Sequence, residues 1–203
     1  MPKIGMEPIR RAALVSATIQ EIGVQGTLDV TVAQIARRAG MSPGLAHHYF
    51  GSKEQIFTAA MRHILTLYAA QVRGALLMAQ CPRTRIEAII RASFTAMSTR
   101  PEHIAAWLNF YVQARKSPET ARLLAIYHRR LKSNLHYAFA QLAPARADIL
   151  ARGVAAMIDG LYCRHAVAGG GDISHDAVET LMHYVALALD DETPNNTPAG
   201  ETS

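Results

Sequence analysis

The sequence predicts an all-α protein built from two modules, and three observations lead there. Apolar residues recur at three- and four-residue intervals in segment after segment, and nowhere do they alternate over a stretch long enough for a strand. Residues that start or stop helices separate those segments: Thr31, Ser42-Pro43, Ser52, Cys81-Pro82, Ser117-Pro118 and Pro144. Finally, residues 31–50 read as two short helices around a tight turn, whereas the segments after Ser52 are long. About nine helices and no sheet are expected from these periodicities.

The first helix should run from Arg10 to about Gly26, with Leu14, Val15, Ile19 and Ile22 as its apolar stripe. Lys3, Arg10 and Arg11 form a basic end, facing either solvent or phosphate. In TVAQIARRAGMSPGLAHHYF, Thr31 can cap a helix and Gln34 can complete a capping box. Val32, Ile35, Ala36 and Ala39 share a buried face, and Gln34, Arg37 and Arg38 are left for solvent or phosphate. Gly40 sits where a left-handed helix end needs no Cβ. Ser42 caps the second short helix and Pro43 takes its first position. Its exposed residues should be Pro43, Gly44, His47 and His48, in the arrangement by which a helix-turn-helix reads the major groove.

Ser52 and Gln55 form a second candidate capping box, opening a long helix with Ile56, Ala60, His63, Leu67 and Ala70 near one stripe. The next helix carries Ile86, Ile89, Ile90, Phe94 and Met97. Thr99 and Glu102 should box the start of the one after it, and Ser117 the start of a long helix with a spine of Leu123, Leu124, Tyr127, Leu131, Leu135 and Phe139. Pro144 should open a helix ended by Gly169-Gly170-Gly171, and Ser174 with Asp176 should start the last one. The polar, proline-bearing tail over 191–203 reads as disordered.

Half of the 203 residues are hydrophobic and 18% are charged, which suits a packed globule. A net charge of +5 permits nucleic-acid binding without establishing it. Cys81 and Cys163 are too few for a disulfide scaffold and read as small buried residues in a reducing cytoplasm. The N-terminus lacks the apolar run of a secretory signal, and no stretch reaches the length of a membrane span, so a cytoplasmic protein is expected. Catalysis finds little support. No two of the nine histidines lie three or four residues apart, and there is no G-x-S-x-G or Cys-x-x-Cys, so no catalytic set, metal or cofactor is expected.

TVAQIARRAGMS followed by HHYFGSKEQIF resembles the TetR family of bacterial transcriptional regulators. Ile35, Ala36, Ala39, Gly40, Ser42, Tyr49, Phe50 and Lys53 carry that resemblance. Many members have Tyr where this chain has His47. The resemblance implies a DNA-binding set of Thr31, Arg37, Pro43, Gly44, Leu45, His47, His48, Tyr49 and Lys53. It also implies a division into a DNA-binding domain over 1–68 and a ligand-binding and dimerisation domain over 69–190. A homodimer on operator DNA should form through the last two helices, with Met157, Leu161, Met182 and Val185 as candidate contacts.

Only 6% of residues are aromatic, yet Trp107, Phe110 and Tyr111 fall at helical spacing, and Tyr162 neighbours Asp159 in MIDGLY. Ordinary core packing is one explanation. The other is a cage of ring faces for a quaternary ammonium ion, with Asp159 as counter-charge. AAWLNFY, RRLKSNL and MIDGLYCRHA, together with the N-terminal segments, resemble the choline-responsive repressors of glycine betaine synthesis within the family. That resemblance implies choline or betaine aldehyde as ligand, held by Trp107, Phe110, Tyr111, Asp159 and Tyr162. A regulator of other hydrophobic or quaternary cations, as in efflux control, is the alternative, and a small helical enzyme a more distant one.

Overall fold

The computed structural model describes residues 5–95, 100–168 and 173–190. Nine α-helices follow in order: α1 (Met6–Gln25), α2 (Val32–Arg38), α3 (Pro43–Phe50), α4 (Lys53–Met78), α5 (Pro82–Ser93), α6 (Pro101–Ala114), α7 (Pro118–Leu142), α8 (Ala147–Ala168) and α9 (Ile173–Asp190). Among the described residues there is no strand. A single 3-10 turn, Pro144–Arg146, precedes α8, so Pro144 opens that turn and not the helix itself. Helix α1 starts a turn earlier than expected, at Met6. Met97, Thr99, Gly169-Gly170-Gly171 and the tail over 191–203 lie outside the described residues, as does Lys3. Arg100 holds the N-cap position of α6 without a side-chain bond, and Pro101 takes the first turn.

The helix starts follow from local chemistry. Thr31 Oγ1 accepts from the Gln34 N–H at 3.2 Å, and Gln34 Oε1 accepts from the Thr31 N–H at 2.7 Å, satisfying two otherwise orphaned donors. Ser42 caps α3 through the Leu45 N–H at 3.3 Å, with Pro43 behind it. Ser52 caps α4 through the Gln55 N–H at 3.2 Å, but the return bond from Gln55 does not form. Gly40 has φ 68°, a left-handed conformation that a Cβ would oppose.

Helix α1 buries Leu14, Val15, Ile19 and Ile22 against α4 and α6. Its neighbour α2 buries Ile35 and Ala36, and α3 adds Ala46 and Phe50 to the same core. Arg38 reaches solvent as expected, with its side chain 36% exposed, and its Nε also turns back onto α1 to meet the nearly buried Glu21 carboxylate at 2.5 Å. The pair ties α2 to α1, because removing Arg38 would leave the nearly buried Glu21 charge without compensation. In the larger part of the molecule α5 forms the centre, with Ile86, Ile89 and Ile90 fully buried, and α4, α7 and α9 pack around it. His63 and Ala70 of α4 lie at the surface, off the stripe expected for them.

Helices α1 and α6 approach unusually closely. A Cβ on Gly23 would lie 2.6 Å from the Glu102 Cα, and Asn109 Nδ2 donates to the Gly26 carbonyl at 3.1 Å. Val185 is 2% exposed and belongs to the chain's own core, so it cannot serve as a contact to a second copy. Met157, Leu161 and Met182 are half-buried, and the exposed apolar side chains of this pair are Ile149, Val167, Tyr184 and Leu187. Cys81 is exposed, contrary to expectation, with its Sγ 3.4 Å from the Thr84 hydroxyl that draws its pKa down. Cys163 is half-buried, and burial pushes its thiol up.

Candidate DNA-reading surface and aromatic cage

The cap at Ser42 aims the N-terminal end of α3 outward. Pro43, Gly44, His47 and His48 are exposed there, while Leu45 and Tyr49 are half-buried. His47 Nδ1 lies 3.1 Å from the Gly51 carbonyl, which can only accept. That contact places a proton on Nδ1 and turns Nε2 away from the helix end. Thr31 and Arg37 are exposed on α2, and Lys53 sits half-buried at the start of α4 with Nζ 5.3 Å above the Phe57 ring. The structure therefore brings the nine candidate DNA-binding residues onto neighbouring segments of α2, α3 and α4.

Arg10 and Arg11 have internal partners. Arg10 Nη1 donates to the Tyr49 hydroxyl at 3.2 Å, and Arg11 Nη1 to the Tyr49 carbonyl at 2.5 Å. The Arg11 guanidinium also stacks 4.4 Å from the Phe50 ring centroid. Both arginines clamp α1 to the end of α3, a role that a basic N-terminal end does not announce in sequence.

The second candidate site lies between α4, α5, α6, α7 and α8. A cavity of about 60 Å³ is bounded by Tyr68, Trp107, Tyr127, Tyr162 and Asp159, with Ile64, Leu67, Gln71, Ser93, His103 and Ile158 completing its wall. The indole of Trp107 meets Tyr127 edge-on at 4.9 Å between centroids and Tyr162 at 6.4 Å, and Tyr127 in turn meets Tyr68 at 5.6 Å. Asp159 enters this ring of aromatics from α8. The Tyr127 hydroxyl donates to Asp159 Oδ1 at 2.9 Å, and His128 Nε2 lies 3.3 Å from Oδ2. Tyr68 donates to Ser93 Oγ at 3.2 Å, since the Ser93 hydroxyl proton goes to the Ile89 carbonyl.

Burial holds these phenols protonated. Tyr68 is pushed up to about 12, and Tyr127 well above the ordinary tyrosine value, by burial first and by Tyr68 and Asp159 next. Burial also raises Tyr162, and burial and then Asp159 raise Tyr111. The cavity thus combines aromatic side chains with one carboxylate and the His103 imidazole, and the Tyr127 O–H serves as a donor to Asp159.

Two expected ligand contacts do not line this cavity, although Tyr111 stands edge-on to Trp107 at 5.8 Å and its hydroxyl is within hydrogen-bond reach of Asp159. Phe110 is 1% exposed and packs behind Trp107, with centroids 5.6 Å apart, as core. Tyr111 faces a shallow depression on the outer side with Arg115, Leu124 and His128, and its hydroxyl lies 3.2 Å from His128 Nε2. Conversely, Tyr68 and Tyr127 line the cavity without having been singled out. Tyr127 lies on the apolar spine of α7, and nothing in helical periodicity separates a ring beside a void from a ring beside a leucine. Among the described residues no group of three or more His, Cys, Asp or Glu is placed to hold a metal, and no described helix is long and apolar enough to cross a membrane.

Comparison with known proteins fits both ends of the molecule. Residues 14–60 match the pattern of the bacterial regulatory proteins of the tetR family, and residues 82–190 that of the BetI-type transcriptional repressor C-terminal domain. The HTH-type transcriptional regulator BetI of Rhizobium meliloti strain 1021 is 54% identical over 190 residues, covering 93% of this chain and 94% of that one. Its counterpart in Brucella suis biovar 1 is 50% identical over 190 residues, at 93% and 96% coverage. Two solved structures share the fold. A transcriptional regulator from Pseudomonas aeruginosa PAO1 has a TM-score of 0.79 at 23% identity, over 90% of this chain and 91% of its own. A transcriptional regulator from Saccharomonospora viridis, solved in complex with choline, has a TM-score of 0.78 at 19% identity, over 87% and 95%.

A capped helix-turn-helix joined to a larger helical module defines a DNA-binding transcriptional regulator, and its relatives are regulators and not enzymes. The chain belongs to the TetR family, and within it to the BetI-type repressors.

Proposed function

We propose that this protein represses the genes of choline-to-glycine betaine conversion and responds to choline or betaine aldehyde bound in the cage of Trp107, Tyr68, Tyr127, Tyr162 and Asp159. The carrying observation is that cage. A quaternary ammonium group accepts no hydrogen bond, so ring faces and one negative charge are what can recognise it. The choline held by the S. viridis regulator and the BetI relatives point the same way.

In this reading residues 1–68 bind DNA, residues 69–190 bind ligand and a second copy, and α4 spans the two. Lys53 stands at its DNA end and Tyr68 at the cage. The homodimer forms through the outer faces of α8 and α9, where Ile149, Val167, Tyr184 and Leu187 are exposed. Ligand acts by favouring an arrangement of α4 that fits the operator less well, which requires tighter ligand binding in that arrangement.

The ligand reading is tested with the chain's single tryptophan. Choline and betaine aldehyde should change its emission saturably, and a primary amine of similar size should do so far less. Trp107→Ala should cost about 0.5–2 kcal/mol of choline affinity by calorimetry, the range of cation–π contacts. Equal response to all three compounds, or full affinity in the variant, would leave these rings as core.

The DNA reading is tested separately by gel shift on the protein's own upstream DNA. Lys53→Ala should weaken binding to every sequence and reduce the salt slope by about one, as loss of a phosphate contact does. His48→Ala should instead narrow the preference for the native operator over variants of it. Unchanged binding in both would remove α3 from the major groove.

A further inference from the structure

We infer that His128 is a proton-controlled rival of the ligand for Asp159, so that choline and a proton weaken one another's binding at this site. The inference rests on the choline reading and adds a residue and a condition to it.

The geometry is specific. Asp159 offers two oxygens. Oδ1 accepts from the Tyr127 hydroxyl at 2.9 Å, from the cavity side. Oδ2 lies 3.3 Å from His128 Nε2, which is also 3.2 Å from the Tyr111 hydroxyl. Asp159 therefore lines the cavity and, through His128, connects it to the outer depression where Tyr111, Arg115 and His128 meet water. The His128 side chain is 45% exposed and the Asp159 side chain 21%, so a proton reaches the imidazole without opening the cage.

An imidazole protonated on both nitrogens puts a full positive charge next to Oδ2. The carboxylate is then already neutralised when a quaternary ammonium group arrives on its other side. A neutral imidazole leaves that charge to the ligand, with the Tyr111 hydroxyl shared between Nε2 and Asp159. Two cations competing for one carboxylate are linked, and each lowers the affinity of the other.

The other groups around His128 hold one charge state across the same window. Tyr111 of α6 and Tyr127 of its own helix stay phenols, both pushed up chiefly by burial. Cys163 of α8, which lies near Asp159 and Tyr111, is raised by burial and stays a thiol. Arg115 of α6 is always cationic. Lys132, one turn along α7, is held by Asp148 at 2.6 Å. Imidazole is the side chain that ordinarily changes charge between pH 5 and 8, and His103 of α6, in the cavity wall, is a second one, so the slope is assigned to His128 by the His128→Gln variant.

The test is choline affinity of the full chain by calorimetry from pH 5.0 to 8.0, for the wild type, His128→Gln and Trp107→Ala. Wild-type affinity should fall as pH falls, with a slope approaching tenfold per unit, the limit for one linked proton. Binding near the midpoint should release a fraction of a proton, read as a difference in heat between two buffers of unlike ionisation enthalpy. His128→Gln should bind across the range with a flatter profile, any remaining slope belonging to His103 in the cavity wall, whereas Trp107→Ala should bind more weakly and keep the slope. A flat wild-type profile, no proton release, or an unaltered slope in His128→Gln overturns the inference and leaves choline as ligand. No choline binding by the wild type at any of these pH values overturns the ligand reading itself. The proton-release measurement needs no variant, so a folding defect in His128→Gln would not spare the inference.

Discussion

Gly23→Ala is expected to lower the thermal midpoint and weaken operator binding even though the residue touches neither DNA nor ligand. The new Cβ would sit 2.4 Å from the Glu102 Cβ and 2.6 Å from its Cα. A side-chain end could swing away from such a contact, but a Cα moves only with its helix. Helix α6 must therefore back off from α1, which stretches the 3.1 Å bond from Asn109 to the Gly26 carbonyl a turn further along. Overpacking of this kind costs about 1–3 kcal/mol. For a chain of this size each kcal/mol moves the midpoint by roughly 2–4 °C. A melt by circular dichroism should thus shift down by about 2–12 °C on those two scales. Helix α6 also carries Trp107, so the response of operator binding to choline should shrink more than either affinity alone. Asn109→Ala, which removes the bond without the clash, should show a smaller loss. An unchanged midpoint and an intact choline response in Gly23→Ala would mean that the α1–α6 contact has slack and transmits nothing.

Asp159→Asn is expected to remove most of the choline affinity while leaving the cage standing. Asparagine keeps the shape, and its oxygen can still accept from the Tyr127 hydroxyl, so the rings lose no support. What disappears is the charge. Two unit charges about 4 Å apart attract by about 4 kcal/mol at the effective dielectric of a near-surface site. Asp159 retains some exposure and water screens part of that, so a loss of about 2–3 kcal/mol is expected, roughly 30- to 150-fold in affinity. Ligand-free operator binding should match the wild type, which separates this variant from a misfolded one. Betaine aldehyde, which carries the same quaternary centre, should lose a similar factor. A loss under threefold for both compounds would move the counter-charge away from Asp159. With the charge gone, the pH profile should also flatten, because His128 then has nothing to compete for.

The contrast between these two sites tracks what the sequence alone could determine. The helix-turn-helix was legible because its determinants act over three or four residues. Thr31 with Gln34, Ser42 with Leu45 and Gly40 at its left-handed turn are set by backbone groups next to them in the chain. The helical spacing of Ile35, Ala36 and Ala46 then settles which side faces inward.

Only the tertiary structure decided which of the outward or core-facing residues find a partner. Arg10, Arg11 and Arg38 all read as solvent or phosphate residues, and all three are held by Tyr49 or Glu21, from 17 to 39 positions away in the chain. Val185 and Leu187 both read as apolar residues of the last helix, yet one is 2% exposed and the other 57%. Phe110 and Tyr127 both face inward, but the void lies beside Tyr127. A cavity is the place where five helices fail to touch, and its position depends on their relative angles and offsets. Those follow from packing between segments far apart in sequence, which no pattern within one segment encodes.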